Sequence, residues 1–208
     1  MQQHEIPLLP GDYYHVYNRG INGETIFLKE ENYRFFLEKY ALFIDPVAET
    51  FAYCLLGNHF HLLIRVRAQE SLEEYILTEK LKVNLGLHSM DKVVSRQFAR
   101  FFSCYTQSFN KVYGRTGTLF EKPFHRKRVD SELYFTRLIY YIHANPVLHG
   151  FVNDLAAYPH SSFLSFTDER KTRLERDAVL SWFGGKQAYQ DFHQQNLSLN
   201  KIQEWMIE

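Results

Sequence analysis

The spacing of apolar and polar residues changes several times along the 208-residue chain, and each change marks an element. From Asp12 to Arg19 aromatic and β-branched residues run between Gly11 and Gly20, which reads as a strand. Side chains alternate across a strand, so Tyr13, His15, Tyr17 and Arg19 share one face and Tyr14, Val16 and Asn18 the other. Gly20-Ile21-Asn22-Gly23 then turns the chain. Over Glu30 to Ile44 the period becomes helical, with Tyr33, Phe36, Leu37, Tyr40, Ala41 and Ile44 in one stripe. Glu30 and Glu31 suit the positive end of the helix dipole, and Asp45-Pro46 ends the helix. Glu49 to Leu56 and His59 to Arg67 are strands joined by a Gly57-Asn58 reversal, an antiparallel hairpin. In the second, Phe60, Leu62, Ile64 and Val66 point one way and His59, His61, Leu63 and Arg65 the other.

Further on, Ser71 reads as an N-cap with Glu74 as its capping-box partner. The stretch from Thr78 to Val94, with Gly86 and a polar mix, specifies no single element. Arg96 to Tyr113 gives the strongest long helix, ~27 Å in length, on which Phe98, Phe102, Tyr105, Phe109 and Val112 recur at helical spacing. A polar loop, Gly114 to Thr118, leads into Leu119 to Val129, which Pro123 interrupts and which ends in a strand. Asp130 or Ser131 caps a helix running to about Ala144, where Asn145-Pro146 ends it because proline lacks a donor and restricts its predecessor. After Leu148 comes a mixed tail with helical fragments around Glu175 to Phe183 and Gln187 to Gln195. No internal repeat or low-complexity tract is present. This order of elements predicts a two-layer α+β domain with a central antiparallel sheet and packed helices.

A chain of this length builds one substantial core and at most a small appendage. Aromatic residues make up 16%, including 18 Phe and 14 Tyr, so most are core and some Tyr remain for surfaces. The formal net charge is zero, but Lys80 to Arg128 holds 11 Lys/Arg against Asp91 and Glu121. That segment carries +9 and the remainder −9. Such asymmetry points to a basic face that meets nucleic acid, a solvated basic helix being the plainer alternative. Cys54 and Cys104 lie in apolar segments and read as buried free thiols of a reducing compartment. Met1-Gln2-Gln3-His4-Glu5 does not open a signal peptide, and no apolar run reaches membrane-spanning length, so the expected location is cytoplasmic.

His59 and His61 project from one face of a strand and can converge on one metal ion. Taken alone they are equally a pair of polar residues near a strand end, and a structural zinc site would want four protein ligands. On the helix after Ser131, Tyr134, Leu138, Tyr141 and Asn145 share a face, with Tyr141 and Asn145 ~6 Å apart along the axis. The alternative has Tyr141 as a half-buried core aromatic and Asn145 as a helix cap. If that face meets the histidines, Asn145 can give a third oxygen ligand and Tyr141 hangs beside the ion. A divalent ion would polarise a phosphate there, and a phenol in line with it would form a covalent phosphotyrosine and release a 3′-hydroxyl. Mn²⁺ tolerates imidazole; Mg²⁺ prefers oxygen but works where phosphate and water complete its shell. Tyr140, next to Tyr141, points ~100° away and off the Asn145 face.

Three segments, Tyr14-His-Val-Tyr-Asn-Arg-Gly20, Cys54-Leu-Leu-Gly-Asn-His-Phe-His-Leu-Leu63 and Tyr141-Ile-His-Ala-Asn-Pro-Val147, resemble the single-tyrosine HUH transposases, in particular the REP-associated tyrosine transposase branch. Gly114-Arg-Thr-Gly-Thr-Leu-Phe120 and Tyr158-Pro-His-Ser-Ser-Phe163 resemble further stretches of that branch. The resemblance covers about residues 12–166. It implies a ferredoxin-like HUH-nuclease fold over residues 1–166, followed by a small, mainly helical extension over 167–208 that carries no family motif. It also implies Mg²⁺ or Mn²⁺ on His59, His61 and Asn145, Tyr141 as nucleophile, and single-stranded DNA beside hairpins as substrate. Arg19 matches a region that approaches the DNA. Gly57-Asn58 stands where the family's common pattern is Pro-Asn, a change expected to alter the turn and not the ligands. The branch favours a monomer, whereas relatives outside it work as dimers with the helix supplied across subunits.

Lys122, His125, Arg126, Lys127 and Arg128 directly precede the tyrosine helix and can neutralise phosphates, although strand alternation keeps Arg126 and Arg128 from sharing a face with Lys127. Arg115, in the Gly114–Gly117 loop, either contacts a hairpin stem or is solvated. Two readings compete with a strand transferase. One is a non-catalytic protein that binds structured single-stranded DNA on the same scaffold. The other is a histidine metallohydrolase, which the lack of a carboxylate cluster disfavours.

Overall fold

A computed structural model of the chain describes residues 6–81 and 87–195. Four strands, Tyr13–Arg19 (β1), Ala48–Leu56 (β2), His59–Val66 (β3) and His125–Val129 (β4), form an antiparallel sheet in the order β2-β3-β1-β4. Six α-helices pack on it: Glu30–Ile44 (α1), Gln69–Thr78 (α2), Leu87–Tyr113 (α3), Glu132–Leu148 (α4), Arg176–Phe183 (α5) and Lys186–Gln195 (α6).

Strand alternation decides which side chains enter which core. Tyr14 and Val16 of β1, with Phe60, Leu62, Ile64 and Val66 of β3, face α1 and α3, where Phe36, Tyr40, Phe98, Phe101 and Tyr105 complete a buried cluster. The opposite face carries Phe51, Cys54 and Leu63, which pack on Leu138, Ile139 and Ile142 of α4, Val179 of α5 and Tyr189 of α6. Helices therefore cover both faces, and the domain has three layers where two were expected. The His-bearing face is largely apolar too, and it needs a cover of its own. The segment after residue 167 helps to supply that cover. Trp182 stacks on Phe51 at 5.0 Å and on Phe135 at 4.9 Å between ring centres. The open edge of β2 is shielded by the chain around residues 160–175: Leu55 N donates to His160 O, Ser162 N to Tyr53 O and Glu175 N to Thr50 O, each at 2.9 Å.

Three boundaries differ from the sequence reading by more than one residue. Helix α2 starts at Gln69 with Ala68 at its N-cap, so Ser71 lies inside the first turn and is not the cap. The chain leaves β3 at Val66, and its backbone is already helical two residues before Ser71. Helix α3 begins at Leu87, nine residues before Arg96, because Met90, Val93 and Val94 continue its buried stripe. Gly86 lies outside the described residues. Helix α4 runs through Asn145-Pro146 to Leu148. Proline forfeits one backbone donor but is tolerated this near the end, and Gly150, at φ +71°, follows the His149 cap in the left-handed conformation that closes helices. Cys54 is buried, Cys104 is partly buried, and both are free thiols. No helix among the described residues is long and apolar enough to cross a membrane.

Gly20 ends β1 where three segments meet. Its N–H donates to Asn58 O at 2.8 Å, and a Cβ there would lie 2.0 Å from the Glu24 carbonyl oxygen. The obstacle is backbone, which cannot swing away as a side chain can. Gly20→Ala is expected to cost stability at the upper end of about 1–3 kcal/mol, read as a lowered midpoint in urea unfolding at unchanged slope.

Candidate active site

The pairing of β1 with β3 assembles the polar cluster. Tyr17 lies opposite His61 and Arg19 opposite His59, which puts His15 diagonal to His61 on the same face. His15 Nε2 and His61 Nδ1 are 2.9 Å apart, and the rings are 5.1 Å apart and nearly parallel. His59 Nδ1 is 2.7 Å from Asn58 Oδ1. That oxygen only accepts, so His59 Nδ1 carries the proton and Nε2 keeps a free lone pair. If His61 Nδ1 likewise donates to His15, both histidines hold bare Nε2 atoms, the state a metal ligand needs. Burial pushes the pKa of His59 down to about 4 and that of His15 to about 3, and holds His61 well below the ordinary imidazole range. All three are neutral at pH 7.

Helix α4 lies across this face. The Tyr141 ring centre is 5.4 Å from that of His61 and 6.1 Å from that of His15, both edge-on. Tyr141 is 9% exposed, and burial raises its phenol pKa. Asn145, one turn on, is fully buried, and its Nδ2 donates to the Tyr141 carbonyl at 2.9 Å. The Asn145 side chain lies within interaction range of both His59 and Tyr141. Its Oδ1 is nevertheless buried with no hydrogen-bond partner of ordinary geometry. A buried acceptor left open costs about 1–3 kcal/mol, and a cation beside it would remove that cost. Among the described residues no three His, Cys, Asp or Glu side chains form a metal cluster. The donors that could hold an ion are two imidazoles and this amide. Tyr140 points elsewhere, fully buried against Phe192 and His193.

In front of the histidines lies a cleft of about 560 Å³, lined by Tyr17, Arg19, His59, His61, His125 and His149 among others. Tyr17 and His125 are stacked along its floor, 5.0 Å apart at 11°. The sequence-derived basic residues divide around it. Arg19 lines the cleft with its side chain 63% exposed, held by Glu121 at 2.7 Å. Lys127 pairs with His15 and shares that face, its Nζ 5.3 Å from the Tyr134 ring. Arg126 and Arg128 take the opposite face: Arg126 is buried and donates to Ser95 Oγ of α3 at 2.9 Å, and Arg128 is paired with Asp12 at 3.0 Å. Arg115 is held by Glu24 from the turn after β1, by Asn110 of α3 and by the Thr118 carbonyl. Lys122 is exposed at the end of the segment that continues β1 pairing, where Glu121 N donates to Arg19 O.

The fold is similar to a solved structure of a REP-associated tyrosine transposase bound to a REP hairpin, with a TM-score of 0.55 over 80% of this chain and 86% of that one, at 16% identity. The sequence matches no protein-family model and no curated protein. At this identity the likeness is one of fold, and it agrees with the antiparallel sheet and helices described above.

A second polar group lies behind α4. His143, fully buried, meets Ser162 Oγ through Nε2 at 2.8 Å and His193 Nε2 through Nδ1 at 3.1 Å. Ser162 Oγ also accepts from Tyr53 N at 2.9 Å. These bonds tie the back of α4 to β2 and α6, fixing the rotation that turns Tyr141 and Asn145 toward the histidines. His15 and His149 went unassigned in the sequence. His15 was already on the face of Tyr17 and Arg19, but its partner follows only from register. The Asn145-Pro146 stop puts His149 outside the helix; α4 instead continues to Leu148, and its cap brings the His149 ring 4.9 Å from that of His59. Ser162→Ala strips a partner from both Tyr53 N–H and His143, and is expected to cost about 1–3 kcal/mol of stability in chemical denaturation, with Ser162→Thr milder than Ala.

Proposed function

We propose that the chain is a divalent-metal-dependent endonuclease and strand transferase of single-stranded DNA, acting beside hairpins with Tyr141 as its nucleophile. The observation that carries this reading is the placement of Tyr141 and Asn145 over His61 and His59, with Asn145 Oδ1 buried and open. The likeness in fold to a tyrosine transposase bound to a hairpin supports it. His59, His61 and Asn145 would hold Mn²⁺ or Mg²⁺. Such an ion, when bound, polarises a phosphate and offsets the charge that grows on it.

Tyr141 supplies the covalent step. Its phenolic oxygen attacks the phosphorus, the bond from phosphorus to the 3′-oxygen breaks, and the leaving oxygen takes up a proton. The phenol loses its own proton. The products are a 5′-phosphotyrosine and a free 3′-hydroxyl, and a second 3′-hydroxyl reverses the step to join a new strand. Burial keeps the phenol protonated until the new bond forms. The tight packing around Tyr141 restricts competing water. Arg19 and Lys127, on the same side of the sheet, are placed to meet backbone phosphates. Tyr141 lies against His61 of its own chain, the arrangement that a monomer would use.

Tyr141→Phe is expected to abolish the denaturant-resistant adduct with a hairpin-bearing oligonucleotide while binding stays within about twofold. An adduct that persists in this variant removes the assignment. Binding without adduct in either protein, even with Mn²⁺, leaves the non-catalytic DNA-binding reading. The metal is tested separately. Mn²⁺ at 100 times its Kd should stabilise the protein by about 2.7 kcal/mol, read as a raised Tm. His59→Ala should lose most of that shift, and an equal shift in the variant rules out His59 as a ligand.

A further inference from the structure

His59, Arg19 and Glu121 form a row across the sheet. Arg19 lies opposite His59 in the β1–β3 register. On the other side of β1 an antiparallel bridge joins Gly20 to Phe120, which sets Arg19 opposite Glu121. Residues directly opposite in an antiparallel pair carry their side chains on one face, and all three line the histidine cleft. Among the described residues that line it, Glu121 is the one acid. Its position is set by the backbone. Glu121 N donates to Arg19 O at 3.0 Å. The buried Asn18 side chain accepts from Arg19 N at 2.9 Å and donates through Nδ2 to the Glu121 carbonyl at 3.0 Å. Arg19 Nε in turn donates to Glu121 Oε1 at 2.7 Å, while Arg19 Nη1 and Nη2 make no hydrogen bond among the described residues. Burial is the main cause of the lowered His59 pKa, and the Arg19 charge adds to it, so the guanidinium stands within electrostatic range of His59.

We infer that Glu121 is a positioning residue, which holds Arg19 at Nε so that its free Nη1–Nη2 end meets the phosphate that Tyr141 attacks. The inference rests on the strand-transferase reading. A carboxylate repels phosphate, so its presence in this cleft works against binding. Its use lies in orientation. The guanidinium is planar and rigid, and a bond at Nε restricts the directions in which its far end can point. That end presents two parallel N–H donors, the arrangement that suits two oxygens of one phosphate. Without Glu121 the exposed Arg19 side chain would still attract DNA, but it would spread over several rotamers. Arg19 then serves the transfer step, where charge grows on the phosphate oxygens, and not affinity alone.

The test uses the full chain and a saturating hairpin oligonucleotide with Mn²⁺, and reads the single-turnover rate of adduct formation; affinity is read separately without metal. The Arg19–Glu121 pair is too exposed to contribute much to folding, so its variants keep the fold. Glu121→Ala should slow the adduct about tenfold, the scale of a group that is present but misplaced. Its affinity should hold or rise, because an anion has left the cleft. Glu121→Gln, whose amide oxygen still accepts from Nε, should stay within about threefold of the wild-type rate. In an Arg19→Ala background, Glu121→Ala should slow the reaction no further. Undiminished adduct formation in Glu121→Ala overturns the inference. So does a Gln variant as slow as the Ala variant, an equal slowing with Arg19 already removed, or a loss of affinity that matches the loss of rate. A wild type that forms no adduct sinks the strand-transfer reading and this inference with it, whereas a reactive wild type with an indifferent Glu121 sinks this inference alone.

Discussion

The seven-pair register between β1 and β3, from Tyr13 opposite Arg65 to Arg19 opposite His59, is the constraint on which the rest depends. A slip of one residue would turn every side chain of one strand to the other face. Phe60, Leu62 and Ile64 would then leave the α1–α3 core and His61 would enter it. The apolar burial on that side therefore fixes where the imidazoles emerge. The same register sets His15 beside His61, so two buried ring nitrogens satisfy each other and neither is left open in an apolar interior.

The opposite side of the sheet must reconcile a packed core with a polar cluster. Apolar contacts from Phe51, Cys54 and Leu63 to α4 bring the helix close, and at its far end the same helix carries Tyr141 and Asn145 onto the histidines. The His143–Ser162–Tyr53 and His143–His193 bonds work against rotation of α4. Alanine at His143 would remove these directional bonds, and the apolar contacts beside them are non-directional and do not by themselves fix rotation. In this cluster the buried Oδ1 of Asn145 has no hydrogen-bond partner of ordinary geometry.

Much of the architecture was legible in the order of residues. Helix α1 is bounded by Glu30 and Ile44 as its period and its Asp45-Pro46 stop indicate, and the hairpin at Gly57-Asn58 joins β2 to β3. Helices α5 and α6 lie within a residue of the expected fragments. Less legible were features where local signals compete. Pro146 is a strong stop signal that the glycine-closed end of α4 outweighs, and Ser71 is a good cap that the exit from β3 makes unnecessary.

By itself the sequence determined which side chains share a face, because strand and helix periods are properties of the local backbone. That was enough to set His59 with His61 and Tyr141 with Asn145, and to separate Lys127 from Arg126 and Arg128. It did not determine which face meets which, since that depends on contacts between residues far apart in the chain. Only the tertiary structure decided that α4 covers the histidines, that Arg126 turns into α3 and Arg115 toward Glu24, and that His15 completes the imidazole cluster. Each of those outcomes follows from burying apolar surface on both faces of one sheet while leaving few polar groups unpaired.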